Sequence, residues 1–92
     1  MPKPRFPLGR IVATPGALDA LDRNREAART FLGRHQSGDW GDLDTADRTE
    51  NDRAVIHGTR ILSAYRLTDG TRIWVVTEAD RLSTCIQLPE EY

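Results

Sequence analysis

The sequence predicts an α+β fold: an N-terminal strand, two to three helices, then a three-stranded antiparallel meander, with the helices on one face of a mainly antiparallel sheet. Three observations predict it. Apolar residues recur at helical spacing before Gly38, and a carboxylate cap at Asp44 with a stop at Gly58 frames a further helix. Residues 60–88 carry β-branched and aromatic side chains in three short runs, Arg60–Leu67, Arg72–Glu78 and Leu82–Leu88. Between the first two runs stands Asp69-Gly70, a dipeptide that tolerates positive φ and so marks a hairpin. Ninety-two residues, 38% hydrophobic and 29% charged, suffice for one small core and not for two.

Residues 1–9 read as a proline-rich arm, because Pro2, Pro4 and Pro7 remove backbone donors and favour extended states, leaving 10–92 as a single α+β domain. Leu8 to Ala13 is a candidate strand. Thr14-Pro15 starts a helix, the hydroxyl capping free amides and the proline occupying a first-turn position where its missing N–H is harmless. Leu18 and Leu21 then share a face. A second helix fits Arg25 to about Gln36, with Ala27, Ala28, Phe31, Leu32 and His35 as its buried stripe and Gly38 as a left-handed cap. Asp44, with Asp47 three residues on, makes a carboxylate N-cap for a third helix over Thr45–His57 that Gly58 stops. That helix is polar for ten residues, so only Ala46, Ala54, Val55 and Ile56 are available to anchor it.

A two-residue loop at Asp69-Gly70 sets Tyr65 opposite Trp74 and Ala64 opposite Val75; a second at Asp80-Arg81 sets Val75 opposite Ile86 and Trp74 opposite Gln87. One face then collects Leu62, Ala64, Ile73, Val75, Ile86 and Leu88, and the other Ser63, Tyr65, Trp74, Val76, Cys85 and Gln87. With Leu18, Leu21, Phe31 and Leu32, the first set forms the expected core.

The net charge of −1 conceals a strong asymmetry: residues 1–36 hold seven Lys/Arg against three acids, whereas residues 39–53 hold two against six. A uniformly basic nucleic-acid binder is excluded and direct nucleic-acid binding is not expected. No aliphatic run approaches the ~20 residues of a membrane helix, so no membrane association is expected. Cys85 is the only cysteine, which rules out an intrachain disulfide and suits a reducing compartment. Together with a start that lacks an apolar leader segment, it points to the cytoplasm.

Chemistry-bearing patterns are sparse. His35 and His57 end separate helices, where each answers a C-terminal dipole better than it binds a metal. No serine or cysteine sits in a nucleophile elbow, and no glycine loop is fit to cradle phosphate. No catalytic residue, metal or cofactor is therefore expected. The candidate partner-binding residues are Asp39, Trp40, Asp42, Asp47 and Glu50, a ring among carboxylates, with Tyr65 and Trp74 as a cross-strand aromatic pair. Such a row of acids can imitate a nucleic-acid backbone or meet a basic groove on a protein; the plainer account is a solvated face, and for the rings a place in the core.

The stretches Phe31-Leu-Gly-Arg-His-Gln-Ser-Gly-Asp-Trp-Gly-Asp-Leu43, Ile61-Leu-Ser-Ala-Tyr-Arg-Leu67, Asp69-Gly70, Ile73-Trp-Val-Val-Thr-Glu-Ala-Asp-Arg81 and Leu88-Pro-Glu-Glu-Tyr92 carry a resemblance. The chain resembles, over Pro7 to Tyr92, small bacterial proteins of plasmids, integrative elements and phage-like islands labelled "plasmid-related protein" or "type I restriction endonuclease subunit M". A methyltransferase needs a doubly wound parallel sheet and a glycine-rich cofactor loop, which this pattern does not supply. What the resemblance implies is company on mobile elements, hence a protein-binding accessory protein that inhibits a host DNA-defence complex of the CRISPR or restriction type. The element order also looks like the RelE/ParE toxin fold, which would imply action on RNA or on a translation or replication target. A nucleic-acid-associated accessory protein is a further alternative.

Overall fold

A computed structural model describes residues 3–92; Met1 and Pro2, the start of the expected arm, lie outside the described residues. The chain forms β1 (Arg10–Ala13), α1 (Pro15–Arg23), α2 (Ala28–Ser37), α3 (Thr45–His57), β2 (Ile61–Arg66), β3 (Arg72–Thr77), β4 (Ser83–Gln87) and a final 3-10 turn over Pro89–Glu91. The strands lie in the order β1-β4-β3-β2. The meander β2-β3-β4 is antiparallel, but β1 joins β4 in parallel, so the sheet is mixed. After β1 the helices carry the chain to the far edge of the sheet, and three alternating strands bring β4 back beside β1 in the same direction. No helix among the described residues is long and apolar enough to cross a membrane.

The helix boundaries follow local chemistry. Thr14 Oγ1 accepts from the Ala17 N–H at 3.1 Å, and Ala17, Ala20 and Leu21 turn one stripe of α1 inward. Leu18, expected in the core, lies outside that stripe and is exposed. The Asn24 amide donates to the Ala20 carbonyl and Arg25 takes a positive φ of 54°. The chain therefore leaves the helical path at Arg25, and α2 starts at Ala28 rather than there. Phe31 and His35 are the buried pair of α2, and Gly38 ends it at φ 92°. Asp44 Oδ1 caps α3 by accepting the Asp47 N–H at 2.8 Å.

The first hairpin departs from expectation by one residue. Leu67 pairs with Thr71 around the loop Thr68-Asp69-Gly70, with Gly70 at φ 91°, so Ala64 faces Trp74 and Tyr65 faces Ile73. A three-residue loop ending in a left-handed glycine is the next commonest hairpin solution after the two-residue one. Here the tip is also held from outside, by Asn24 Oδ1 on the Asp69 N–H and Glu26 on the Thr68 N–H. The slip exchanges the two faces of β2. Ile61, Ser63 and Tyr65 join Ile73, Val75 and Ile86 on the inner face, while Leu62 and Ala64 go to the outer face with Trp74. The second turn is longer than expected, with Glu78 pairing Ser83 and Arg81 at φ 62°, yet Val75 still meets Ile86 and Trp74 meets Gln87. One added residue on each side of a loop leaves the register unchanged.

The inner face packs two clusters. Ala17, Ala20, Leu21 and Phe31 meet Tyr65, Leu67, Ile73, Val75 and Ile86, with Leu32 and Leu88 partly buried against them. Phe6, Trp40, Ala54 and Ile61 form the second cluster, so the arm contributes a core residue. The arm is tied down by Arg5 N–H on the Gln36 carbonyl and by the Gln36 amide on the Phe6 carbonyl. Of the residues expected to anchor α3, Ala54 is buried whereas Ala46 and Ile56 are exposed. The unforeseen anchor is Asn51, which lies on the backbone of β2.

Candidate functional site

Seven residues were singled out as partner-binding, and the structure divides them. Asp39 leaves α2 beside Arg34, whose Nε donates to it at 2.6 Å; that guanidinium holds the carboxyl below its ordinary pKa. Trp40 is only 4% exposed. Its ring stacks on Phe6 at 6.2 Å, and its Nε1–H donates to Asp52 at 3.0 Å. Tyr65 is 1% exposed, packs on Phe31, and donates its hydroxyl to the Asp39 carbonyl at 2.8 Å. Burial pushes that phenol up out of the physiological range. The desolvated anchor expected of Trp40 is thus already formed within the chain, and the Tyr65 ring sits on the face opposite Trp74 rather than beside it.

The turn that buries Trp40 also closes the edge of the sheet. The Asp42 N–H donates to the Ala64 carbonyl and the Ala64 N–H to the Trp40 carbonyl, while the Asn51 side chain donates to the Leu62 carbonyl and accepts its N–H. Gly41 sits between at φ 76°, where a Cβ would collide with the Ala64 carbonyl oxygen and the Tyr65 ring. The Gly-Asp-Trp-Gly-Asp sequence is in this respect an edge-strand cover.

The remaining four candidates, Asp42, Asp47, Glu50 and Trp74, do come together. They line an open cavity of about 460 Å³ between the start of α3 and the outer face of the sheet, floored by Leu62 and Trp74 and flanked by Arg60 and Arg72. Asp42 is held between Arg66 and Arg72, each at 3.3 Å, and Arg60 reaches Glu78 at 3.0 Å and the Tyr92 hydroxyl at 2.6 Å. Outside the lining, the Tyr92 ring lies edge-on to Trp74 at 5.3 Å. Among the described residues, the Asp47 and Glu50 carboxylates have no cationic partner within ion-pair distance. Leu62, Arg60 and Arg72 were missed as site residues. A three-residue reading of the hairpin loop would have found Leu62, because it puts that residue on the Trp74 face, which Arg72 shares under either reading.

The chemistry of this cavity is that of recognition. An aromatic and aliphatic floor takes up the alkyl stem of a long side chain, and the two unpaired carboxylates attract its charged end. The two cations present are engaged by Asp42 and Glu78, which leaves the Asp47 and Glu50 wall as the free charge.

A second polar constellation lies on the inner face. His35 Nδ1 meets Ser63 Oγ and Nε2 meets Thr77 Oγ1 at 2.8 Å; Thr77 meets Thr84, whose hydroxyl donates to the Leu8 carbonyl at 2.7 Å. That last bond fixes the rest. Thr84 spends its proton on Leu8, so Thr77 donates to Thr84, His35 donates from Nε2, and Nδ1 accepts from Ser63. A neutral imidazole protonated on Nε2 satisfies this chain. Burial, helped by the Arg81 charge, lowers the His35 pKa to about 4. His35 is therefore not the cation expected at a helix C-terminus. Its contact with Ser63 is closed on all sides, both residues having no exposed surface, so the pair joins α2 to the sheet. Among the described residues no three His, Cys, Asp or Glu side chains are placed to hold a metal ion. No protein-family model, curated protein or solved structure matches the chain.

Proposed function

We propose that this chain is a small non-enzymatic binding protein of mobile elements that docks a basic protein surface on the acid-walled cavity and thereby inhibits a host DNA-defence complex of the CRISPR or restriction type. The observation that carries the reading is the pair Asp47 and Glu50, ionisable groups without an ion-pair partner among the described residues, beside the half-buried ring of Trp74. A complex that grips nucleic acid presents Lys and Arg spaced for phosphates, and a row of carboxylates on a helix offers the same charges on a rigid frame. One inserted Lys or Arg meets Trp74 with its stem and the acids with its head. The mobile-element setting rests on the sequence resemblance, and the site of action that suits such a target is the cytoplasm.

The test is binding of the purified protein to purified Cascade-type and type I restriction complexes, in competition with their DNA. The expected result is displacement of DNA that weakens with salt and is lost in Asp47→Lys/Glu50→Lys. Cleavage of RNA or DNA by the protein alone, abolished by a single substitution, would overturn the reading in favour of the RelE/ParE-like toxin. Direct, salt-resistant binding to nucleic acid would favour the accessory-protein alternative.

A further inference from the structure

The two edges of the sheet are finished differently. At β2 the outward backbone groups of Leu62 and Ala64 are all bonded, to Asn51 and to the Trp40–Asp42 turn. At β1 the ladder to β4 opens with Arg10 N–H on the Leu82 carbonyl and closes with Thr14 N–H on the Ile86 carbonyl. In a parallel ladder alternate residues face the partner strand, so Arg10, Val12 and Thr14 face β4 while the N–H and C=O groups of Ile11 and Ala13 point away from it. No backbone or side-chain group among the described residues bonds to the Ile11 or Ala13 amide. The side chains alongside are apolar and open, Ile11 at 50% exposure and Val12 at 40%.

Edges of this kind are ordinarily blunted by lysines, bulges, prolines or an inward charge, and within Arg10–Ala13 only Arg10 is charged. We propose that β1 is a dimerisation edge, onto which a second copy of this chain adds its own β1 in antiparallel fashion to give a continuous eight-stranded sheet.

The strand is suited to itself. With Val12 of one copy opposite Val12 of the other, Ile11 meets Ala13 twice about the two-fold axis and each pair exchanges its outward N–H and C=O groups. Arg10, the strand's one charge, then falls opposite Thr14 and no like charges meet. The ladder cannot lengthen beyond this, because Pro15 has no N–H and Gly9, at φ 66°, turns out of the extended conformation. A short, reversible contact follows rather than an open filament. The proposal is independent of the function put forward above, since the cavity lies at the β2 end of the sheet. In the dimer the two β2 strands stand about 34 Å apart, seven inter-strand spacings of ~4.8 Å, so both cavities remain accessible.

The experiment is sedimentation velocity of the full chain from about 10 μM to about 1 mM, the range in which a small interface associates. It is paired with amide hydrogen exchange at both ends of that range. Wild-type protein is expected to shift from monomer to dimer, and the Ile11 and Ala13 amides to exchange more slowly at the higher concentration. Ile11→Lys and Ile11→Pro are expected to stay monomeric at the highest concentration with unchanged circular dichroism, because Ile11 is exposed and its N–H has no partner among the described residues. A wild type that is monomeric throughout overturns the proposal, including the case in which β1 takes a strand of foreign sequence. A dimer that survives both substitutions, or Ile11 and Ala13 amides that exchange fast at every concentration, overturns it equally. If either variant misfolds, the exchange of wild-type Ile11 and Ala13 decides alone.

Discussion

The inner and outer faces of the one sheet put similar residue types to opposite uses. The inner face buries Tyr65 at its hydroxyl and ring, and uses His35, Ser63, Thr77 and Thr84 as a closed chain of hydrogen bonds. The outer face leaves the ring of Trp74 half-buried beside Tyr92, with the Asp47 and Glu50 carboxylates near it that, among the described residues, pair with no cation. Polar groups on the first face are fully satisfied and hold the fold together. On the second they are left over, and a surplus of charge beside an aromatic ring is the raw material of recognition. The comparison makes a general point: an aromatic or an acid in the sequence says little until the strand register assigns it to a face.

The largest effect expected on the inner face is that of Val75→Asp. A carboxylate with no partner at a fully buried position costs several kcal/mol, comparable to the whole stability of a small domain, so the variant should be unfolded by circular dichroism. A cooperatively folded variant would break the assignment of that face.

The next effect is a pH dependence. Burial lowers the His35 pKa to about 4 in the folded chain from the ordinary 6.5, so the unfolded state binds the extra proton first. Its contribution to stability is complete above pH 6.5 and is lost progressively as pH falls towards 4, roughly 3 kcal/mol in all. Urea melts between pH 7 and pH 4.5 should show the loss. NMR of the folded chain should show a neutral imidazole, protonated on Nε2, through that interval. A His35 that titrates near 6.5 would contradict the closed chain.

Asn51→Ala comes third, because it unpairs the N–H and C=O of Leu62 at the sheet edge. A loss of about 1–3 kcal/mol is expected, measured by thermal or denaturant melts, with the β2 amides exchanging faster. A smaller effect than that of an ordinary surface substitution would mean that water replaces the side chain at no cost.

Much of the architecture is legible in the sequence. The caps at Thr14, Asp44 and Gly38, the extent of α3 and the pairing of β3 with β4 all follow from local rules that tertiary structure had no reason to override. The β2 register was not, because Thr68-Asp69-Gly70 and Asp69-Gly70 are both acceptable loops, and the choice is made by Asn24 and Glu26, more than 40 residues earlier. The parallel seam of β1 was equally hidden, since no local signal states which edge a strand joins. At the candidate site, Asp42, Asp47, Glu50 and Trp74 are named by charge and ring chemistry alone, and the structure gathers them at one cavity. Trp40 was misassigned because a tryptophan in a polar turn gives no sign of the Phe6 and His35 rings that the arm and α2 bring to it.

The smallest stability effects, and the most direct test, belong to the outer face. If Asp47 and Glu50 serve a partner rather than the fold, Asp47→Asn/Glu50→Gln should change unfolding free energy by less than about 1 kcal/mol, the scale of an exposed first-turn charge. The same double variant should lose its salt-sensitive binding to the purified defence complex. Titration of wild type and double variant against that complex at two salt concentrations, with a denaturant melt of each, reads both quantities together. Intact stability with lost binding is the predicted result. A variant that binds as wild type does, or one that unfolds, would contradict the account by showing that the two acids are either idle or structural.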